Sequence, residues 1–193
     1  MKKLLLLIAI VLIGIPSCFA FTLKVTALNP KPNLALKNSK EKVYFLIDKN
    51  VEDSYVVPKQ SGITKTNVSD WHTSLINGFK NGFSDFFTIV NDPSEADLIL
   101  KISKADFEWS PAATRTNVTG SGGYVTSSTS VSSIRAQVTF KAQLLNKNGD
   151  IVKQCANTVV AKKVASGFKD VNPTVASALE SMYEYIGNDF FEK

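Results

Sequence analysis

The stretch Ile134-Arg135-Ala136-Gln137-Val138-Thr139-Phe140-Lys141-Ala142-Gln143-Leu144 alternates without a break. Ile134, Ala136, Val138, Phe140, Ala142 and Leu144 fall on one side; Arg135, Gln137, Thr139, Lys141 and Gln143 fall on the other. Successive strand side chains point to opposite faces, so the pattern is a strand with one buried face and one wet face. A helix would scatter the same apolar residues around its circumference. Upstream, Leu98, Leu100 and Ile102 alternate with Ile99, Lys101 and Ser103. Downstream, Asn148-Gly149 suits a type I′ turn and predicts a return strand over 151–161. Residues 97–161 therefore read as an antiparallel ribbon of two hairpins. Two inward sets fit the return strand, Val152/Ala156/Val160 and Cys155/Val159/Ala161, and a slip of one residue exchanges them.

Between the halves of the first hairpin, residues 110–133 are almost entirely Ser, Thr, Gly and Val, with Gly120-Ser121-Gly122-Gly123 at the centre. Residues 114–119 and 124–131 are β-branched enough to prolong both strands into a protruding arm. Such an arm suits contact with a partner, a glycan or a membrane surface; the same composition also suits a solvated low-complexity loop. Its apolar residues are too few for a membrane-spanning hairpin, whose outward face is continuously hydrophobic.

At the N-terminus, Lys2-Lys3 precede an apolar run over 4–15, and Pro16 breaks it before small residues. Residues 1–20 thus read as a secretory signal peptide of bacterial style. The cut site reads two ways. Cys18 and Ala20 fit a small-x-small rule that starts the mature chain at Phe21, while Ile15-Pro16-Ser17-Cys18 approximates a lipobox that makes Cys18 an acylated first residue. Either way Cys155 remains the single mature cysteine, so no intramolecular disulfide is expected. Cys155 reads as a small inert hydrophobe facing Ala142 across the second hairpin.

The chain carries 22 Lys+Arg and 17 Asp+Glu; without Lys2 and Lys3 the balance is 20 − 17 = +3. So mild and dispersed a surplus gives no reason to expect a nucleic-acid partner.

Residues 21–193 read as one α+β domain. Phe21, Leu23, Val25 and Ala27 alternate as a first strand, Asn29-Pro30-Lys31-Pro32-Asn33 breaks it, and 43–47 is a second. The polar stretch 49–68 reads as loop. Ser69 then caps a helix, with Asp70 favourable to its dipole, and Trp71, Leu75, Phe79, Phe83 and Phe86 form its apolar stripe. Gly78 and Gly82 beside the stripe each cost up to about 1 kcal/mol of helix propensity, which close packing on the sheet is expected to offset. Residues 87–90 make a short strand. The last helix starts at an Asn172 cap with Pro173 at its first position and Val171 stapled to Ala176; its face is Val175, Leu179, Met182, Tyr183, Ile186 and Phe190. Two striped helices and one half-buried ribbon predict a two-layer sandwich: a mainly antiparallel sheet with both helices on one face.

Catalytic, cofactor and metal signatures are absent from the sequence. The single histidine, His72, has no nucleophile and orienting partner around it. Asp106 and Glu108 share a strand face, the one place for a paired-carboxylate glycan hydrolase. The expectation is a protein without enzymatic activity. Its candidate binding surface is Arg135, Gln137, Thr139, Lys141 and Gln143, with Tyr124 on the arm.

The order of elements resembles the YajG-type family of small bacterial lipoproteins. The parallels are Leu23-Lys24-Val25 with Asn29-Pro30 soon after the cysteine, the 43–47 strand, the aromatic helix and Ser94-Glu95-Ala96-Asp97-Leu98-Ile99-Leu100. The Asn148-Gly149 hairpin and the Asn-initiated last helix complete them. Pro16 and the 110–133 insertion depart from the pattern. The resemblance implies a lipid on Cys18 and anchoring at the periplasmic side of the outer membrane, in a family without an assigned catalytic activity. The reading is then an exported envelope accessory protein that binds or scaffolds an envelope protein or glycan. The alternatives are an envelope glycan hydrolase acting through Asp106 or Glu108, and a secreted soluble effector or adhesin cut after Ala20.

Overall fold

The alternating stretch becomes an inner strand of a five-stranded sheet, with its greasy face buried. The computed structural model describes residues 22–58, 65–121 and 124–192, with backbone alone for 114–131. Along the chain come β1 (Leu23–Val25), β2 (Lys42–Ile47), β3 (Tyr55–Val57), β4 (Thr66–Val68) and α1 (Trp71–Phe83). After them come β5 (Thr88–Val90), β6 (Leu98–Ser121), β7 (Tyr124–Asn146), β8 (Ile151–Val164) and α2 (Val171–Phe191). The fold is α+β, with the described strands in two mixed sheets, β5-β2-β6-β7-β8 and β1-β4-β3.

The two hairpins are present: β6 pairs antiparallel with β7, and β7 with β8. The mainly antiparallel expectation needs correction at β2, which pairs parallel with both β5 and β6. The reason lies in the connection. Between β2 and β5 the chain passes through β3, β4 and α1, a crossover long enough to bring a later strand back alongside β2 in the same direction. The predicted loop over 49–68 also holds structure, because β3 and β4 lie within it and form the small sheet with β1. Only Leu23–Val25 of the predicted first strand is paired.

Ile134, Ala136, Val138, Phe140, Ala142 and Leu144 are all buried; α2 packs on β7 and β8, while α1 packs on β2 and against α2. Phe45 of β2 stacks on Phe79 of α1 at 4.5 Å, and Tyr185 of α2 meets Phe140 of β7 edge-on at 5.8 Å. Trp71 donates its indole N–H to the Ala105 carbonyl at 2.7 Å, so the largest buried ring has its polar atom satisfied. A bulge at Ser103 shifts the register of β6, so Ala105, Phe107 and Trp109 face inward after Leu100 and Ile102. In β8 the inward set is Cys155, Val159 and Ala161, while Val152, Ala156 and Val160 are exposed. Val152 is the bulged residue that fixes this choice.

Local details differ from the sequence reading where remote residues intervene. Asp70, not Ser69, sits at the start of α1, with φ 57° and no side-chain cap bond. The free His72 N–H is instead accepted by Asp53 at 2.7 Å, from the loop before β3. For α2 the cap position is Asp170, two residues ahead of Asn172. The second hairpin turns through three residues: Gly149 N–H donates to the Asn146 carbonyl at 2.9 Å, and Gly149 alone of the pair has positive φ, at 86°. That is a type I turn closed by a bulged glycine, not a type I′ turn.

The proline segment does more than end β1. Residues 28–34 form a strap along the groove between the helices. Ser74 accepts from the Leu28 N–H, and Asn81 donates to the Pro30 carbonyl. On the α2 side, Glu180 accepts from Lys31 N–H at 3.1 Å and Glu184 from Asn33 N–H at 3.0 Å. The spacing is commensurate: two residues of extended chain advance ~6–7 Å, and four residues of helix advance ~6 Å. This strap also accounts for the glycines. A Cβ on Gly78 would run into the Tyr183 ring and approach Pro30 at 3.2 Å; one on Gly82 would meet Pro32 at 3.2 Å. Their close contacts are thus with α2 and the strap, not with the sheet. Among the described residues no helix is long and apolar enough to cross a membrane.

Gly78→Ala gains ~1 kcal/mol of helix propensity but places a methyl against the buried Tyr183 ring, an overpacking worth about 1–3 kcal/mol. The expected result in urea titration is a lower midpoint with unchanged slope. A raised midpoint would show that the groove has room.

Candidate functional site

The two hairpin registers build the outer face of the sheet rung by rung. Paired residues share a face, so Ser110, Arg135 and Lys162 stand in one row. The next rows are Glu108, Gln137, Val160; then Asp106, Thr139, Thr158; then Lys104, Lys141, Ala156. Arg135 and Lys141 are exposed, and Gln137, Thr139 and Gln143 half-buried by their neighbours. The five predicted sheet residues are thereby brought onto one open surface. Tyr124 lies outside it: its backbone faces Ser121 at the far end of the ribbon, and its side chain is not among those described.

The face is tied together by short polar contacts. Gln137 donates to Glu108 at 3.0 Å, and the Thr139 and Thr158 hydroxyls share a hydrogen bond at 3.0 Å. Lys104 pairs with Asp106 at 3.3 Å. At the rim, Lys101 reaches Asp48 at 2.7 Å; that hydrogen bond, aided by the Asn50 N–H, holds the Asp48 carboxyl below the usual carboxylate range. Among the described residues neither Arg135 nor Lys141 is in an ion pair. Two rungs oppose like charges, Lys104 to Lys141 and Arg135 to Lys162. Direct cross-strand pairing of like charges is destabilising, so folding alone gives no reason for it.

One row escaped the sequence reading. Tyr44 pairs with Val90 and Ile99, Ile99 with Leu145, and Leu145 with Ile151. An apolar rung therefore crosses all five strands on the outer face, separated from the Lys104–Lys141 row by the Lys101–Gln143–Gln154 rung. Ile99 and Leu145 occupy outward positions in the alternation, which is a signal, but only the register lines them up with Tyr44, Val90 and Ile151.

The depressions on this face are shallow. One of about 150 Å³ is lined by Glu108, Trp109, Ser110, Arg135 and Gln137. A second of about 340 Å³, lined by Ser103, Lys141, Gln143, Gln154 and Ala156, reaches the lower end of the range of ordinary small-molecule pockets, about 300–1,000 Å³; both are open to solvent, so the face offers a surface for docking. Asp106 and Glu108 are both outward, as a hydrolytic pair requires, but they are engaged by different partners, Lys104 and Gln137. His72 fastens a loop: its ring Nε2 lies 2.7 Å from the Val51 carbonyl. Among the described residues no three His, Cys, Asp or Glu side chains gather as a metal site. Cys18 lies outside the described residues.

Cys155 sits opposite Ala142 and is half-buried. Burial, with the nearby Asp189 carboxylate, pushes its thiol up from 9.0 to about 11, against a backbone hydrogen bond at Ala142. Folding therefore favours the protonated thiol. Its contribution to stability is full below pH 9 and fades as the pH rises toward 11. Alkylation by iodoacetamide at pH 8 is expected to run about ten- to a hundredfold slower on the folded chain than in urea. Equal rates would show an accessible thiolate.

No family model and no curated protein sequence matches the chain. Among solved structures, a Xanthomonas campestris protein of family DUF330 is similar at 12% identity and TM-score 0.48, over 86% of this chain and 92% of that one. A minor lipoprotein from Acinetobacter baumannii is similar at 10% identity and TM-score 0.39, over 77% and 89%. An uncharacterized lipoprotein B from Nitrosomonas europaea is similar at 12% identity and TM-score 0.40, over 81% and 88%. Likeness at this level assigns neither fold nor role to this chain.

Proposed function

We propose that the protein is a non-enzymatic, exported accessory factor of the cell envelope, anchored at the periplasmic side of the outer membrane by a lipid on Cys18. In this reading the outer face of the sheet docks an anionic envelope component, a protein or a glycan. The observation that carries the docking reading is the pair of like-charge rungs, Lys104–Lys141 and Arg135–Lys162. The Arg135–Lys162 rung is a local cost in the free protein that a bound anion offsets, and at the other rung Asp106 already pairs with Lys104, which leaves Lys141 for the anion. The anchor rests on separate support: the basic-then-apolar N-terminus, and the resemblance to YajG-type lipoproteins in which Cys18 takes the acylated position.

Intact mass of the protein recovered from membranes tests the anchor. A diacylglyceryl adduct on Cys18 is the expected species; a chain beginning at Phe21 would remove the anchor and favour a soluble periplasmic or secreted protein.

A photo-crosslinking side chain at Thr139 in intact cells tests the face. A discrete adduct is expected, digested by protease if the partner is protein and by glycan hydrolases if it is glycan. Arg135→Glu with Lys141→Glu should reduce it about tenfold or more while leaving the unfolding free energy from urea titration within ~0.5 kcal/mol. An adduct indifferent to the double reversal would remove the electrostatic basis of the reading.

A further inference from the structure

The ribbon of β6 and β7 does not stop where the sheet stops. The last rung between β7 and β8 is Ser133–Val164, and β2 leaves β6 at Ile102. Beyond them, among the described residues, β6 and β7 pair only with each other, from Thr114–Val131 to Ser121–Tyr124, eight rungs. At ~3.4 Å per residue this arm is about 27 Å long. Register shifts at Pro111/Ala113 and Ala113/Thr114 set its base, where bulges re-aim a strand pair. A two-stranded ribbon by itself is marginal in water, and among the described residues no strand pairs with either edge of this one.

Exposed edges invite pairing, and proteins blunt them with charge, proline, bulges or short length. The other edges here follow that rule. β1, β3 and β5 are three residues each, and the long edge of β8 carries Lys153, Lys162, Lys163 and the Val152 bulge. The arm does not. From Thr114 to Val131 there is one charged residue, Arg115, and no proline. The two strand segments are β-branched and polar, favourable for pairing and poor at preventing it.

We propose that the arm is a self-association element: the β7 edge of one copy's arm pairs with the β6 edge of the next copy's arm. The direction of the chain favours this occupant. β6 runs out along the arm and β7 runs back, so bodies standing side by side bring an outgoing strand against a returning one, which is an antiparallel match. The two edges have equal length and a common base, so the register is set by the arm itself. A foreign strand would satisfy one edge and leave the other open, whereas copies repeating head to tail consume both. A head-to-tail contact of this kind forms a closed ring when its rotation closes, here a collar of antiparallel strands with every body on one side. The assembly is independent of the partner on the outer sheet face.

The test uses the purified full-length chain. Sedimentation velocity over the soluble concentration range is expected to show an oligomer for the wild type. Replacing 114–131 by an Asn-Gly turn is expected to give a monomer with an unchanged urea midpoint. Thr116→Lys with Thr129→Lys, which keeps the hairpin and puts charge along it, should shift the association midpoint at least tenfold to higher concentration. In a Cys155→Ala background, Asn117→Cys chains mixed with Ser128→Cys chains should form mixed disulfides in preference to like-with-like ones. A wild type that stays monomeric, an arm-deleted chain that still associates, or predominantly like-with-like disulfides would each overturn the proposal.

Discussion

The structure depends on burying the inward face of β7. Ile134, Ala136, Val138, Phe140, Ala142 and Leu144 have almost no contact with water, and the inward row of β6, Leu100, Ile102, Ala105, Phe107 and Trp109, extends the same buried face. At about 25 cal/mol per Å² of apolar surface, covering such a row is a driving force no surface pair approaches. Both helices follow from it, since α1 and α2 each present one apolar stripe and the sheet presents one face to receive them. The opposite face is left open by the same geometry. Every residue between the buried ones must point outward, whatever its chemistry, and here that chemistry is basic and polar with one apolar rung.

Covering the helices is a second problem, solved by the strap. An extended segment and a helix have periods that coincide every two and four residues. Asn77 and Asn81 therefore reach Leu28 and Pro30, and Glu180 and Glu184 reach Lys31 and Asn33. Prolines 30 and 32 bring no N–H that would need a partner in this tight place. Gly78, Gly82 and Gly187 are the matching concessions on the helices, each with strap atoms where a Cβ would stand. The cost in helix propensity is local; the gain is a sealed groove in which the Tyr183 hydroxyl, buried and held protonated, donates to the Leu75 carbonyl at 2.6 Å.

The same molecule treats its edges in two ways. β8 is long and exposed, yet its lysines and its bulge discourage further strands, and Lys153 is used besides to cap the last carbonyls of α2 at 3.0 Å. The arm has none of these safeguards. That contrast within one chain separates a surface kept solitary from one left ready to pair.

The ribbon, its turn position and the apolar stripes of both helices were legible in the residues, because each rests on a period of two or about 3.6 that needs no knowledge of neighbours. The basic outer positions Arg135 and Lys141 were legible for the same reason. The three-residue strands β3 and β4 were not, since strands so short carry no period. Neither was the Asp53 cap on α1, because the capping residue lies 19 positions away. The purpose of Gly78 depended on Tyr183 and Pro30, and the inward set of β8 on one bulged residue. By itself, then, the sequence determined which side of each element is greasy. Only the tertiary structure decided which elements meet, in what direction and register, because periodicity is written into adjacent residues while pairing is a contest among distant ones.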